Sequence, residues 1–388
     1  MSKRLLAVEA VTSGHPDKLA DQIAACIVDA FVARDKNSRC GIEVMVKDNV
    51  VVLGGEVYSN TTIEYDEIVR LVFDIVKYPE SHHLTHDDIK IINLIGKQSV
   101  EIHNAVDVSE EEIAGSDQGF MCGYATNETP TYMPLGCYIT KKICNYITTK
   151  TDFGPDAKTQ IVIEYDGNRP VRIDSLLISS MHECDIEELR STLANAVLKN
   201  DIGLEDDIYT TFVIDKNFKI DINPAGEWRM GGPVSDCGMC NRKLACDQYS
   251  SASRISGGGL HGKDMSKLDL TGNLMCRYLA KNIVAAGLAN TAKVDLSYSI
   301  GVVQPTSLNI ELDINKELEE KLVKWVYENV SLEPYKMMKR FTYNEQALSI
   351  YASEGFYGED GNNPEFLGIL YAWEKLDLVK KLKESFGK

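Results

Sequence analysis

Four glycine-rich stretches of this chain also carry charge: Thr12-Ser13-Gly14-His15-Pro16-Asp17-Lys18, Gly115-Ser116-Asp117-Gln118-Gly119, Gly231-Gly232-Pro233 leading to Asp236, and Gly257-Gly258-Gly259 leading to Lys263. Loops of this kind on rigid scaffolds are where sites are usually built. Basic residues gather around them. Arg242 and Lys243 follow Asp236, Lys263 and Lys267 follow the triple glycine, and Lys158 follows Pro155-Asp156-Ala157 at a strand start. His15, Asp17 and Lys18 stand at a predicted helix N-terminus, where backbone N–H groups and the helix dipole favour an anion. Asp17, Asp236 and Asp269 offer the hard oxygens that Mg²⁺ uses beside polyphosphates. The combination points to a polyphosphate site with a metal. Each signal is weak alone, since a lysine beside a glycine is usually a solvated turn. Gly257-x-x-x-x-Gly262-Lys263 also matches seven positions of a P-loop. Its eighth residue, however, is Asp264 in place of Ser or Thr, and the preceding residues 248–256 are polar, unlike a buried strand.

Such loops need elements to hold them. Leu19, Ile23, Ile27 and Phe31 form one stripe and predict a helix over 17–34, with Pro16 suited to its start. A hairpin follows over 42–47 and 50–58, turning at Asp48-Asn49, then a helix over 63–78 and a strand over 89–95. The order recurs: a helix at 135–148, a hairpin at 159–180 around Asp166-Gly167-Asn168, a helix at 186–199 and a strand at 209–214. It recurs again as a helix at 268–287, strands within 293–312 and a helix at 315–329. The expectation is an α+β protein of three similar domains, each a mixed sheet covered by helices, over 1–101, 112–230 and 231–388. The polar segment 96–112 reads as a surface loop or a lid.

Composition bounds the partners. The 388 residues carry 41 Lys+Arg against 58 Asp+Glu, a net charge of −17, which argues against holding a nucleic-acid backbone. No stretch approaches the ~18 apolar residues of a membrane span, and no signal peptide is visible, so a cytoplasmic protein is expected. The ten cysteines read as reduced and mostly buried. Cys237-Gly-Met-Cys240 lacks the second pair a zinc site would want, and His82-His83-x-x-His86 reads as a solvated loop.

At this point the motifs are recognisable. Residues 14–23 (Gly-His-Pro-Asp-Lys-Leu-Ala-Asp-Gln-Ile), 117–129, 155–160 (Pro-Asp-Ala-Lys-Thr-Gln), 231–238 (Gly-Gly-Pro-Val-Ser-Asp-Cys-Gly), 262–269 (Gly-Lys-Asp-Met-Ser-Lys-Leu-Asp) and 278–288 resemble the S-adenosylmethionine synthetase family in wording, order and spacing, over almost the whole chain. The resemblance implies three domains about a pseudo-threefold axis. It implies homodimers with active sites at the subunit interface, often paired into a dimer of dimers. The substrates would be ATP and L-methionine, with two Mg²⁺ per site and K⁺ as cofactors. The methionine sulfur would attack C5′ of ATP, and the tripolyphosphate released would be hydrolysed to phosphate and pyrophosphate. A thioether has no proton to lose, so positioning and electrostatics carry the step.

By resemblance, His15 stabilises the leaving chain, and Lys158, Arg242, Lys243, Lys263 and Lys267 surround the phosphates. Asp17 and Asp269 are the Mg²⁺ carboxylates and Glu43 the K⁺ ligand. Glu56 and Gln98 belong to the methionine site, Asp117 and Asp236 anchor polar groups of methionine and ribose, and Trp228 faces adenine. Asp156 and Gly259 fall among the substrate-contacting positions, and residues 98–108 match a mobile active-site loop. The chain departs from the usual wording at several positions. Ile255, Ser256, Gly259, Leu260 and His261 stand where His, Gly, Ala, Phe and Ser are usual; Glu227 stands where a basic residue is common, and Leu270 and Gly154 replace arginines. The retained charges predict an active enzyme. A non-enzymatic binding subunit would be expected to have lost them, and a kinase-like transfer would give a phosphorylated product.

Overall fold

Three sheets carry the chain, and each borrows one strand from elsewhere in the sequence. The computed structural model describes residues 3–98, 107–109, 112–341, 347–358 and 371–387. In the first unit, helix Pro16–Arg34 precedes the hairpin Arg39–Lys47/Val50–Tyr58. Helix Tyr65–Val76 follows, and Lys90–Asn93 returns parallel to the second hairpin strand. The central unit repeats this with helix Leu135–Lys150, hairpin Ala157–Asp166/Arg169–Ser180, helix Ile186–Leu198 and the parallel return strand Lys219–Ile222. The third has helix Leu268–Ala285, hairpin Thr291–Tyr298/Ser307–Leu312 and helix Glu319–Asn329.

One strand of each of these sheets is exchanged in a cycle. Lys3–Val11, which leads into the first unit, pairs with Ala157–Asp166 of the central sheet. Gly119–Thr126, leading into the central unit, pairs with Thr291–Tyr298 of the third. Gly238–Met239, leading into the third, pairs with Arg39–Lys47 of the first. The loop after each borrowed strand therefore lies where two units meet.

One predicted element is of a different kind. The β-branched run 209–214 reads as a strand, but Asp206–Phe212 is a helix. Asp206 and Asp207 occupy its first turn, and Ile208 and Phe212, one helical turn apart, are both buried. The return strand comes later, at Lys219–Ile222. His82 is not solvated: it is buried, and its Nε2 accepts the Gly231 amide at 3.2 Å. Of the loop 98–108, only residues 98, 107 and 108 lie within the described residues.

The first and third units share one apolar core, whereas the central unit has its own, built around Ile139, Ile161, Ile178 and Leu193. Helix Leu268–Ala285 is buried along most of its length, which explains its weak apolar stripe.

Candidate active site

The loop after the first borrowed strand is pinned by its register. Val11 pairs with Lys158, Thr12 N donates to Ala157 O at 3.0 Å, and Thr12 Oγ1 donates to Pro155 O at 2.6 Å. Gly14 packs so closely that a Cβ there would come within 2.3 Å of the Pro155 Cβ. The 155–158 turn and the start of helix Pro16–Arg34 are thereby fixed together.

His15 caps that helix. Its Nδ1 accepts the Asp17 amide at 3.1 Å, which leaves the proton on Nε2. Burial, and then the nearby Lys243, push the imidazole down to about 4, so it is a neutral N–H donor near pH 7. Asp17 is fully buried. Its Oδ1 accepts the Met239 amide at 2.9 Å and lies 3.0 Å from Arg242 Nε, while Oδ2 lies 2.5 Å from Lys243 Nζ. Burial alone would raise this carboxyl, but the Lys243 and Met239 hydrogen bonds outweigh it and hold Asp17 ionised. Arg242 also reaches Asp236 at 3.5 Å, and Lys158 pairs with Glu9 at 2.7 Å.

Asp156 closes the group from the central unit. It is buried, with Oδ2 accepting the Gly232 amide at 2.7 Å and Oδ1 lacking a hydrogen-bond partner. Burial pushes it up to about 7, with Asp236 adding to the rise. Between the ordinary carboxylate range and about 7, the folded chain therefore holds a proton that the unfolded chain has released. Stability contributed by this group falls as pH rises through that window. Asp156→Asn should remove the effect. The melting temperature of the wild type, compared with that variant, is expected to drop by several degrees between pH 5 and 8; parallel melting curves would contradict the assignment.

A second charged group forms where the third unit meets the first sheet. Ile42 N donates to Gly262 O at 2.7 Å, placing Lys263 beside Gly41. Lys263 Nζ lies 2.5 Å from Asp269 Oδ2. Gly258 leaves that carboxylate its room, since a Cβ there would fall 1.9 Å from Asp269 Oδ1. Lys267 supplies the N-cap of helix Leu268–Ala285, and Glu43, whose carboxyl burial raises, lies within reach of the Lys263 charge. Glu43 and Glu56 share one exposed sheet face, with Glu56 paired to Gly41 and Gly96.

Other predicted residues stand alone. Asp117 is exposed and accepts the Gln118 amide at 2.7 Å. The Gln98 backbone N–H donates to Val57 O at 3.0 Å, and the side-chain Oε1 is buried without a partner. Trp228 is half-buried. Its backbone is gripped by His182, whose N donates to Trp228 O at 3.0 Å and whose Nε2 accepts Trp228 N at 3.4 Å. Glu227 pairs with Arg229 at 2.5 Å. No ion pair among the described residues joins the Asp17 group to the Asp269 group. Sequence reasoning passed over Glu9 and His182; nothing local marks either, since their partners lie far along the chain.

Three domain families match this arrangement in order. They are the N-terminal domain of S-adenosylmethionine synthetase at residues 3–100, its central domain at 112–228 and its C-terminal domain at 230–375. The chain belongs to the S-adenosylmethionine synthetase family. A solved structure described as an unusual S-adenosylmethionine synthetase from Campylobacter jejuni is similar over 98% of this chain and 99% of its own, with 33% identity and a TM-score of 0.83. As a methionine adenosyltransferase, this synthetase makes S-adenosylmethionine from ATP and L-methionine by sulfur attack on C5′, and then hydrolyses the tripolyphosphate to phosphate and pyrophosphate. The family uses a divalent metal and potassium, and the structure contains an acidic cluster of metal-ligand type at Asp21, Asp247 and His261. Among the described residues, no helix is long and apolar enough to cross a membrane.

Proposed function

We propose that the Asp17 group and the Asp269 group are halves of one synthetase site, completed between two copies of this chain. One observation carries the reading. Met239, Met45, Val52 and Ile92 lie in register across the first sheet, on the same face as Glu43 and Glu56. Met239, Met45 and Ile92 are 44%, 38% and 48% exposed, an apolar row that a second copy would cover. Asp17 and Asp269, both expected to be Mg²⁺ carboxylates of one site, are tied into separate groups on one chain. A homodimer lets one group face its counterpart, and a dimer of dimers formed through other faces leaves the site unaltered. In sequence the units run over 1–101, 112–230 and 231–388, with the borrowed strands crossing between them. The ten free cysteines fit a cytoplasmic setting.

In this reading, Glu56 and Gln98 line the methionine site and Asp117 anchors polar groups of methionine, leaving its neutral sulfur free to attack. Trp228, Asp156, Asp236 and Gly259 take the nucleoside. His15 donates through Nε2–H to the departing chain, while Lys158, Arg242, Lys243, Lys263 and Lys267 compensate the charge that develops on it. The donor set fits Mg²⁺: Asp17 is held ionised, and Gly258 keeps the Asp269 carboxylate clear. Asp17 and Asp269 would hold the metal, two ions per site, and Glu43 would hold K⁺. When bound, Mg²⁺ neutralises polyphosphate oxygens.

Incubation with ATP, Mg²⁺, K⁺ and methionine should yield S-adenosylmethionine by mass spectrometry, with phosphate and pyrophosphate released together. Absence of the product from the folded homomer would sink the reading. Lys267→Glu, at a helix start, should lower synthesis by about 100-fold with little change in the melting temperature. Retained synthesis would remove Lys267 from the phosphate set.

A further inference from the structure

Behind the Asp17 group lies a charged cluster that the proposed mechanism leaves unused. Lys18, Asp21 and His261 are buried, and the Asp247 side chain is 7% exposed. Lys18 Nζ lies 2.7 Å from Asp247 Oδ1, 3.2 Å from Asp21 Oδ2 and 3.3 Å from His261 Nε2. His261 Nε2 lies 3.1 Å from Asp247 Oδ2 and 3.6 Å from Asp21 Oδ2. A carboxylate acceptor at 3.1 Å places a proton on Nε2. Two carboxylates and an imidazole would suit a divalent ion, but the ammonium of Lys18 already stands among them. Burial would lower Lys18; Asp247 and Asp21 outweigh it and raise it, and Asp247 is held down to about 2 despite its own burial. The cage contains its own cation.

The cage ties together three segments, each bearing a member of the phosphate-facing set. Lys18 follows Asp17, Asp247 ends the short helix Leu244–Asp247 that follows Arg242 and Lys243, and His261 precedes Lys263 by one glycine. Two departures from the usual family wording act here as one unit. A Cβ at Gly259 would fall 2.3 Å from the Asn241 Cγ. With glycine there, the Asn241 carboxamide fits against His261, its Oδ1 accepting His261 N at 2.9 Å and its Nδ2 donating to His261 O at 3.1 Å. Asn241 N in turn donates to Asp21 Oδ1 at 2.7 Å. Phe356 covers the imidazole, with ring centroids 5.2 Å apart.

We propose that His261 is a positioning residue that, with Lys18, locks the helix start, the Arg242–Lys243 turn and the Lys263 loop into one frame for the polyphosphate-binding cations. This rests on the site assignment above and goes beyond it, since His261 is buried and has no place among the residues assigned to substrate.

The test uses the full-length wild type, His261→Ala and His261→Gln, whose amide can still donate toward Asp247. Tripolyphosphate affinity is read by calorimetry, alongside kcat, KM for methionine and melting temperature. The alanine variant should bind tripolyphosphate about tenfold more weakly and lose about tenfold in kcat, with KM for methionine changed by less than about twofold. The glutamine variant should recover most of both losses. Equal behaviour of the two variants in affinity and kcat, whether wild-type-like or equally reduced, would overturn the proposal. So would a matching rise in KM for methionine. Should the alanine variant not fold, His261→Ser takes its place. A wild type that makes no S-adenosylmethionine would instead count against the site reading, and the tripolyphosphate series would still decide the role of His261.

Discussion

Asp17→Asn is expected to lower S-adenosylmethionine formation by about two to three orders of magnitude. The Asp17 carboxylate is fully buried and stands 3.0 Å from Arg242 and 2.5 Å from Lys243. Asparagine keeps the shape and can still accept the Met239 amide through its carbonyl oxygen. It cannot supply a charged oxygen to a divalent cation, and it leaves two basic side chains without their shared counter-charge. The cost in stability should be smaller than for a sealed ion pair. Arg242 is 44% exposed and can turn to water, so about 1–2 kcal/mol is expected in place of the ~3–5 kcal/mol of a fully buried break. Product formation measured beside a melting curve separates the two effects. Turnover within about tenfold of wild type would show that Asp17 does not serve the proposed chemistry.

The largest stability effect is expected far from that chemistry, at Glu374→Gln. Glu374 is sealed between two equally buried cations: Oε1 lies 2.9 Å from Arg277 Nε, and Oε2 pairs with Lys281. Burial would raise this carboxyl, but Arg277 and Lys281 outweigh it and hold it below its ordinary range. Arg277 Nη2 also donates to Glu374 Oε2 at 3.2 Å, and its other N–H groups go to the carbonyls of Tyr124, Thr131 and Tyr132. Glutamine would strand a buried guanidinium and a buried ammonium with no carboxylate, at about 3–5 kcal/mol. The contribution from the depressed carboxyl is present above the unfolded glutamate's range and is lost as pH falls through the folded value. The deficit measured by denaturant unfolding should therefore be largest near neutrality and narrow in acid. A loss under about 1 kcal/mol at pH 7 would mean that the triad is not sealed.

Much of this architecture was legible beforehand, for physical reasons that particular residues make clear. Leu19, Ile23, Ile27 and Phe31 face one core, so the helix they predict exists. The hairpins readable from alternation and local turns at 42–58 and 159–180 begin slightly earlier in the structure, at Arg39 and Ala157. Residues 209–214 misled because Thr210, Thr211 and Val213 are β-branched, whereas the burial of Ile208 and Phe212 by tertiary packing decided for helix. The strand exchange had no local signature, because its registers join segments far apart in sequence. The site divides in the same way. The basic and acidic residues proposed for it stand out by type beside glycines, but their sorting into two groups does not. Nor does the pairing of Lys18 with Asp247, or of Arg277 with Glu374, since each partner lies in a distant segment.

The cyclic exchange of strands also constrains how the chain reaches its native state. Lys3–Val11 leaves the ribosome about 150 residues before Ala157–Asp166, the strand it must pair with. At translation rates of about 5–20 residues per second, that is a wait on the order of ten to thirty seconds. Gly238–Met239 then has to return to a hairpin made long before it, so the first sheet lacks an edge until the third unit begins to emerge. The three units cannot mature one after another as beads on a string. They close as a ring, and the loops that gather the charges of the candidate site are its clasps.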